Sequence, residues 1–237
     1  MNQIDQLYKQ AGNKQIFIVG HSQGGLLIQW ALNFWPSRRT KVASFLALSS
    51  DFHGTAEGPL VTTLQNATVQ GASPSVWQQS VLLGKPSNFL TALAKHGDTP
   101  LVPTTSVYGN LDEVIQPVVP DTNLNNVPYP NSFSHVDLND PCPLNLIDHF
   151  APLLSGPAFW LGLDAFQNGI GKVDRAQALA AKQGKIFCGN VPNAGNLALP
   201  SQVKTEFDAV ISVGTENFLA DRVPNEPPLQ PYAANQP

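Results

Sequence analysis

The chain has 237 residues, 42% of them hydrophobic and 13% charged, with a formal net charge of −4. The length suits one large domain, and the composition is that of a globular protein, not a disordered chain. No run of Lys or Arg supports sequence-independent nucleic-acid binding, and no apolar stretch is long enough for a transmembrane helix.

The first predicted elements are a helix, a buried strand and a second helix. Residues 4–8 carry apolar side chains at helical spacing. The β-branched and aromatic run at 15–19 is typical of a parallel strand that is buried on both faces. A second helical pattern covers 26–34, and Pro36 ends it.

Later segments extend the same alternation. Strands are predicted at 43–48, at 102–108 and, more weakly, at 134–138, and a late helix is predicted at 203–218. Alternating strands and helices indicate an α/β fold with a mostly parallel central sheet flanked by helices. We assign residues 1–223 to this domain and 224–237 to an irregular C-terminal tail that is rich in Pro and Asn.

The segment Gly20-His21-Ser22-Gln23-Gly24 has the pattern G-x-S-x-G. A strand precedes it and a helix follows it, and this setting is typical of the nucleophile elbow of α/β hydrolases. Ser22 is therefore the candidate nucleophile, and the backbone N–H of Gln23 is a candidate donor to an oxyanion. An ordinary serine in a glycine-rich turn is the alternative that this context disfavours.

In this fold the acid and the histidine follow the serine along the chain. Asp112 comes just after the strand at 102–108, where the acid is expected. Most loop aspartates are simply solvated, and Glu113 is a neighbouring competitor that we expect to point away.

Four histidines follow the serine, and chain order separates them. His53 and His96 precede Asp112 and are excluded, while His135 falls within the weak strand. We therefore assign His149 as the base. No H-E-x-x-H motif or clustered Cys/His spacing is present, so neither metal catalysis nor a cofactor is expected.

Several longer segments resemble the Candida antarctica lipase B family of fungal lipases. The likeness runs from about residue 15 to about residue 233. It is carried by SQGGL at 22–26, PSVWQQ at 74–79, VPTT at 102–105, DEVIQP at 112–117 and IDH at 147–149.

This resemblance implies an α/β-hydrolase fold and a lipase or esterase with the triad Ser22, Asp112 and His149. It also implies substrate-pocket roles for residues that would otherwise look like ordinary loop or core positions. Asp51 and Gln79 would lie near the acyl side of the pocket. Val114 and Ile115 would lie on its apolar wall.

The two cysteines could be unrelated buried thiols or one disulfide, and the resemblance implies that Cys142 pairs with Cys188. His21 stands where the best-known member of the family has a tryptophan, so we expect the alcohol side of the pocket to differ. The N-terminus is polar and has no apolar core of the kind that a signal peptide contains, so none is expected here. Several strands and a second oxyanion loop normally come before the elbow. We therefore interpret the chain as an N-terminally truncated form of a secreted lipase.

The predicted reaction is hydrolysis of carboxylic esters through an acyl-enzyme on Ser22. One alternative is an inactive truncated remnant that lacks the second oxyanion donor, and another is an acyltransferase that uses the same triad. The expected partners are ester or lipid substrates and no nucleic acid. We expect a monomer that makes transient contact with a lipid interface.

Overall fold

A computed structural model describes residues 2–56, 72–95, 99–124, 133–189 and 222–234. The helices are α1 (Asn2–Gln10), α2 (Gln23–Phe34), α3 (Pro74–Gln78), α4 (Asn88–Ala94), α5 (Val118–Thr122), α6 (Gly156–Asn168), α7 (Val173–Lys182) and α8 (Pro231–Ala234). The strands are β1 (Ile16–His21), β2 (Val42–Leu48), β3 (Val81–Leu82), β4 (Lys85–Pro86), β5 (Thr104–Tyr108) and β6 (Phe133–Asp137). Two 3₁₀ helices span Pro36–Lys41 and Ala151–Leu153. The helix predicted at 203–218 lies outside the described residues.

Four parallel strands form the central sheet in the order β1-β2-β5-β6. The four predicted strands match these four. β5 begins later than predicted, at Thr104, because Pro103 has no backbone N–H to contribute to the ladder. The carboxyl ends of parallel strands meet at one edge of the sheet, which is where α/β folds place their sites.

The sheet is covered on both faces at β2. Phe45 packs with Leu32 of α2 on one face. Leu46 and Leu48 point the other way and pack with Trp160 of α6. Successive side chains of a strand alternate between faces, so a run that is apolar throughout can be buried on both sides. The first strand, β1, was predicted to be buried on both faces, but it is only half-buried and Val19 is 51% exposed.

Residues 222–234 pack on the domain, although most of them belong to the segment predicted as an irregular tail. The Glu226 carboxylate accepts hydrogen bonds from the backbone N–H groups of Asn88 and Phe89, at 2.8 and 2.9 Å, where α4 begins. Tyr232 in α8 lies with its ring 4.8 Å from that of Trp35. An acidic side chain at a helix N-terminus satisfies N–H groups that have no partner within the helix.

No helix in the described part of the chain has both the length and the apolar character that crossing a membrane would require.

Candidate active site

Ser22 lies in a sharp turn between the end of β1 and the start of α2. Its backbone has φ 53° and ψ −134°. Its N–H donates to the carbonyl of Leu48 at the end of β2, at 2.9 Å. The turn therefore places the Ser22 hydroxyl at the carboxyl edge of the sheet.

Two glycines allow α2 to lie close to the sheet at this turn. A Cβ on Gly20 would lie 2.8 Å from the backbone nitrogen of Gly25. A Cβ on Gly25 would lie 1.9 Å from the Ser50 hydroxyl oxygen. Both distances are well below van der Waals contact, so glycine is required at both positions for the helix to approach this closely.

Asp112 lies in the loop after β5 and is fully buried. Its Oδ1 accepts the backbone N–H of Val114 at 3.0 Å and that of Ile115 at 2.8 Å. The loop itself turns through a hydrogen bond from the Asp112 N–H to the Gly109 carbonyl. These contacts fix the carboxylate so that its remaining lone pairs face His149.

His149 connects Ser22 and Asp112 in one chain of hydrogen bonds. Its Nε2 lies 2.9 Å from Ser22 Oγ, and its Nδ1 lies 2.9 Å from Asp112 Oδ2 and 3.1 Å from Oδ1. The histidine is 2% exposed. A carboxylate acceptor at Nδ1 requires that this nitrogen carry the proton, which leaves a lone pair on Nε2 for the serine hydroxyl to donate to.

Two opposing influences set the pKa of Asp112. Burial acts to raise it, but the hydrogen bond and charge of His149, with the Ile115 and Val114 amides, outweigh burial and hold the pKa of this carboxyl below its ordinary value. Asp112 is thus an anion under the histidine at neutral pH. An anion in this place favours the protonated imidazole that forms when histidine accepts a proton.

The Gln23 backbone N–H has no partner within α2, because Gln23 is the first residue of that helix. The Gln23 side chain is held by Ser75: its Nε2 donates to the Ser75 carbonyl at 2.9 Å, and the Ser75 hydroxyl donates to its Oε1 at 2.5 Å. This pair joins the start of α2 to the start of α3. Together with the positive end of the helix dipole, the free amide can stabilise negative charge beside Ser22.

The residues expected near the pocket lie on three segments that hydrogen bonds of Thr55 join: Asp51 follows β2, Gln79 follows α3, and Val114 and Ile115 follow β5. Asp51 and Gln79 are both buried, and the backbone of Thr55 bonds to that of Gln79. The Thr55 hydroxyl donates to the Val114 carbonyl at 2.7 Å, next to buried Ile115. The amides of Val114 and Ile115 also bind the Asp112 carboxylate, a role that their apolar side chains did not indicate.

The competitors of Asp112 and His149 make other contacts. Glu113 Oε2 accepts from the backbone N–H of His149 at 3.3 Å, so it contacts the main chain of this residue. His135 lies in β6, where its ring stacks on Tyr108 and its Nε2 lies 3.0 Å from the Thr122 hydroxyl. Within the described ranges, no group of three or more His, Cys, Asp or Glu residues is placed to hold a metal ion.

A disulfide joins Cys142 and Cys188, which confirms the expected pairing. It ties the segment that leads to His149 to the residues that follow α7. The Asn145 amide reinforces the link by donating to the Cys188 carbonyl at 3.2 Å.

Comparison with known proteins supports the resemblance found in the sequence, although no protein-family model matches. The chain is 35% identical over 98% of its length to lipase B of Pseudozyma antarctica. It also superimposes on the crystal structure of Aspergillus fumigatus lipase B with a TM-score of 0.77, at 28% identity over 98% of the chain. The chain spans 64% of the first protein and 54% of the second. The predicted resemblance and the α/β-hydrolase fold are confirmed.

Proposed function

We propose that this chain, a relative of the fungal lipase B proteins, is a serine hydrolase that cleaves carboxylic esters as lipases and carboxylesterases do. The observation that carries the proposal is the buried, continuous chain of hydrogen bonds from Ser22 through His149 to Asp112. A serine hydroxyl is a poor nucleophile until an adjacent base removes its proton, and this arrangement supplies the base and its orienting acid.

In the proposed reaction, His149 accepts the Ser22 proton as Ser22 Oγ attacks the ester carbonyl. Asp112 holds His149 in the required tautomer and stabilises the imidazolium. The Gln23 N–H donates to the carbonyl oxygen as it becomes negative. His149 then protonates the departing alcohol, and water repeats the sequence to release the acid. No cofactor takes part in these steps.

We assign the substrate pocket to these three joined segments, which follow β2, α3 and β5. Asp51 and Gln79 would lie on the acyl side, and Val114 and Ile115 would form an apolar wall. The burial of Asp51, Gln79 and Ile115 is compatible with a pocket that excludes water around the ester.

Lipid esters are the proposed substrate class, reached through transient contact with a lipid interface by a monomeric protein. Leu144 and Leu146 are 95% and 82% exposed within five residues of His149. Replacing both with serine should weaken binding to neutral lipid vesicles but leave hydrolysis of a soluble ester unchanged. The Cys142–Cys188 disulfide also supports secretion, because such bonds persist in oxidising compartments.

Hydrolysis of p-nitrophenyl butyrate by the 237-residue chain tests the proposal. We expect Ser22→Ala or His149→Ala to lower turnover by at least ~10⁴-fold without unfolding the chain. His135→Gln is the matched control, because it removes a histidine outside the site. If His135→Gln abolished turnover and His149→Ala did not, the assignment of the base would be wrong.

Two further outcomes separate the alternatives. A folded chain that neither hydrolyses the ester nor reacts at Ser22 with a p-nitrophenyl phosphonate would be an inactive remnant. New ester formed at the expense of free acid when an alcohol is added would identify an acyltransferase.

A further inference from the structure

The backbone of His149 is held by side chains. His149 lies between β6 and α6, in a stretch from 138 to 150 that contains no helix or strand. Among the described residues, its N–H and C=O form no hydrogen bond with another backbone group. The carbonyl of His149 instead lies 2.9 Å from Nε2 of His21, and its N–H donates to Oε2 of Glu113 at 3.3 Å.

These two side chains come from the immediate neighbours of the other two triad residues. His21 precedes Ser22 at the end of β1, and Glu113 follows Asp112 in the loop after β5. The main chain of His149 is therefore anchored to the strand of the nucleophile and to the loop of the acid. A shift of the His149 loop away from either would break one of these two bonds.

We propose that His21 and Glu113 are positioning residues, which hold the backbone of His149 so that its imidazole stays within reach of both Ser22 and Asp112. The inference rests on the proposed function, because it assigns these two residues a part in the same reaction. Neither residue is expected to contact the reacting atoms. Their contribution comes through geometry, to which proton transfer is sensitive on the scale of about 1 Å.

The His21 imidazole must be the neutral tautomer with the proton on Nε2. A carbonyl oxygen can only accept, so Nε2 of His21 has to be the donor. Burial lowers the pKa of His21 to about 4, and His149 acts in the same direction, whereas the bond to the His149 carbonyl and the charge of Asp112 oppose it. A neutral His21 does not repel the imidazolium that forms on His149, whose ring centre is 4.9 Å away.

The His21 ring also packs against the rings of His149 and Phe150. Its ring centre lies 4.9 Å from that of His149 and 5.7 Å from that of Phe150. A test must therefore separate loss of the N–H donor from loss of packing. Glutamine retains a donor at similar reach, and leucine retains apolar bulk but has no donor.

The two contacts should contribute unequally. The His21 contact is shorter and comes from a strand that is paired along its length with β2. Glu113 is exposed and its contact is 3.3 Å long. Removal of His21 should therefore have the larger effect.

The first experiment compares His21→Leu, His21→Gln and His135→Gln with the unmodified chain in hydrolysis of p-nitrophenyl butyrate. We expect His21→Leu to lower kcat by about 10- to 100-fold with KM changed less than about twofold. His21→Gln should stay within about threefold of the unmodified chain, because its amide can restore the donor. The control His135→Gln should leave kcat unchanged. Equal kcat values for His21→Leu and His21→Gln would overturn the proposal.

The Glu113 contact has its own pair of variants. Glu113→Gln keeps an acceptor oxygen and should retain kcat, while Glu113→Ala should lower kcat by about two- to fivefold. Identical kcat for Glu113→Ala and the unmodified chain would remove Glu113 from the proposal.

A second measurement does not depend on turnover. In ¹⁵N-histidine NMR of the 237-residue chain, His21 should show a protonated Nε2, an unprotonated Nδ1 and no titration between pH 5 and 8. The titratable groups that act on the pKa of His21 are His149, which lowers it, and Asp112, which raises it. This pattern in a chain without esterase activity would contradict the proposed function and leave the anchoring intact. An active chain whose His21 titrated in this range would contradict the anchoring alone.

Discussion

The close approach of α2 to the sheet can be tested with two neighbouring glycines. Gly25 and Gly24 lie in the first turn of α2, but only Gly25 faces the sheet. A Cβ on Gly25 would lie 1.9 Å from Ser50 Oγ and 2.4 Å from Ser50 Cβ, whereas a Cβ on Gly24 would meet no described atom within 4 Å. We expect Gly25→Ala to destabilise the fold and Gly24→Ala to stabilise it.

The magnitude follows from the difference between the two variants. Both replace glycine with alanine within one helix, so the gain in helix propensity, about 0.8–1 kcal/mol, cancels in the comparison. What remains is overpacking at Gly25, which typically costs about 1–3 kcal/mol. The clash includes Ser50 Cβ, which cannot rotate away. We therefore expect the two variants to differ by about 3 kcal/mol in free energy of unfolding.

Urea unfolding followed by tryptophan fluorescence measures this difference. Adding Ser50→Gly to Gly25→Ala removes both clashing atoms and should recover most of the lost stability, with Ser50→Gly alone as the control for a double-mutant cycle. Equal free energies of unfolding for Gly24→Ala and Gly25→Ala would refute the reasoning that glycine at position 25 is required by packing.

Three other predictions concern charge, the disulfide and pH. Asp112→Asn should lower kcat for p-nitrophenyl butyrate by about 10⁴-fold with little change in melting temperature. The reason is that an amide stabilises neither the required tautomer nor the imidazolium of His149. A retained kcat would contradict the role of Asp112. Replacing Cys142 and Cys188 with serine should lower the free energy of unfolding by about 4 kcal/mol for a loop closed over a separation of 46 residues, and an unchanged urea midpoint would contradict this. Burial lowers the pKa of His135 to about 4, so the unfolded chain binds more protons than the folded one between that pH and about 6.5. Stability should therefore fall as pH decreases through this window, and His135→Gln should show a shallower fall in melting temperature; equal slopes would contradict it.

The first two strands of the central sheet could be predicted because they are short, largely apolar runs, whereas β5 and β6 contain several polar residues. The runs at 15–19 and 43–48 are apolar on both faces, and the structure buries β2 between α2 and α6. The segment predicted at 102–108 includes Pro103, which cannot donate to the ladder, and β5 accordingly begins one residue later, at Thr104.

The order of residues in the fold was enough to nominate Ser22, Asp112 and His149, but not to describe how they are held. The carbonyl of His149 meets a side chain that lies 128 positions earlier in the chain. Pairings at such separations leave no local pattern in a single sequence.

One supporting contact did have a local signal. Asp112 accepts backbone N–H groups from the residues two and three positions ahead, as short polar side chains commonly do in turns. An aspartate that leaves a strand and enters a loop could have been assigned this turn. The family resemblance implied only a place on the apolar wall for Val114 and Ile115, and the role of their amides was not predicted.

The contacts of the C-terminal segment could not be predicted either, because they also join residues that are far apart in the chain. Pro and Asn residues predict irregular backbone, yet Glu226 binds the N-terminus of α4. A lone Glu among prolines does not indicate which distant helix it contacts. Only the assembled structure identifies the partner.

The positive φ of Ser22 implies a conflict between durability and chemistry at this position. Left-handed backbone geometry of this kind costs a residue with a Cβ roughly 1–3 kcal/mol, and glycine would relieve most of it. A screen that selects variants only for resistance to heat should therefore enrich glycine at residue 22. Mutant libraries made to stabilise this protein need to keep the codon for Ser22 unchanged.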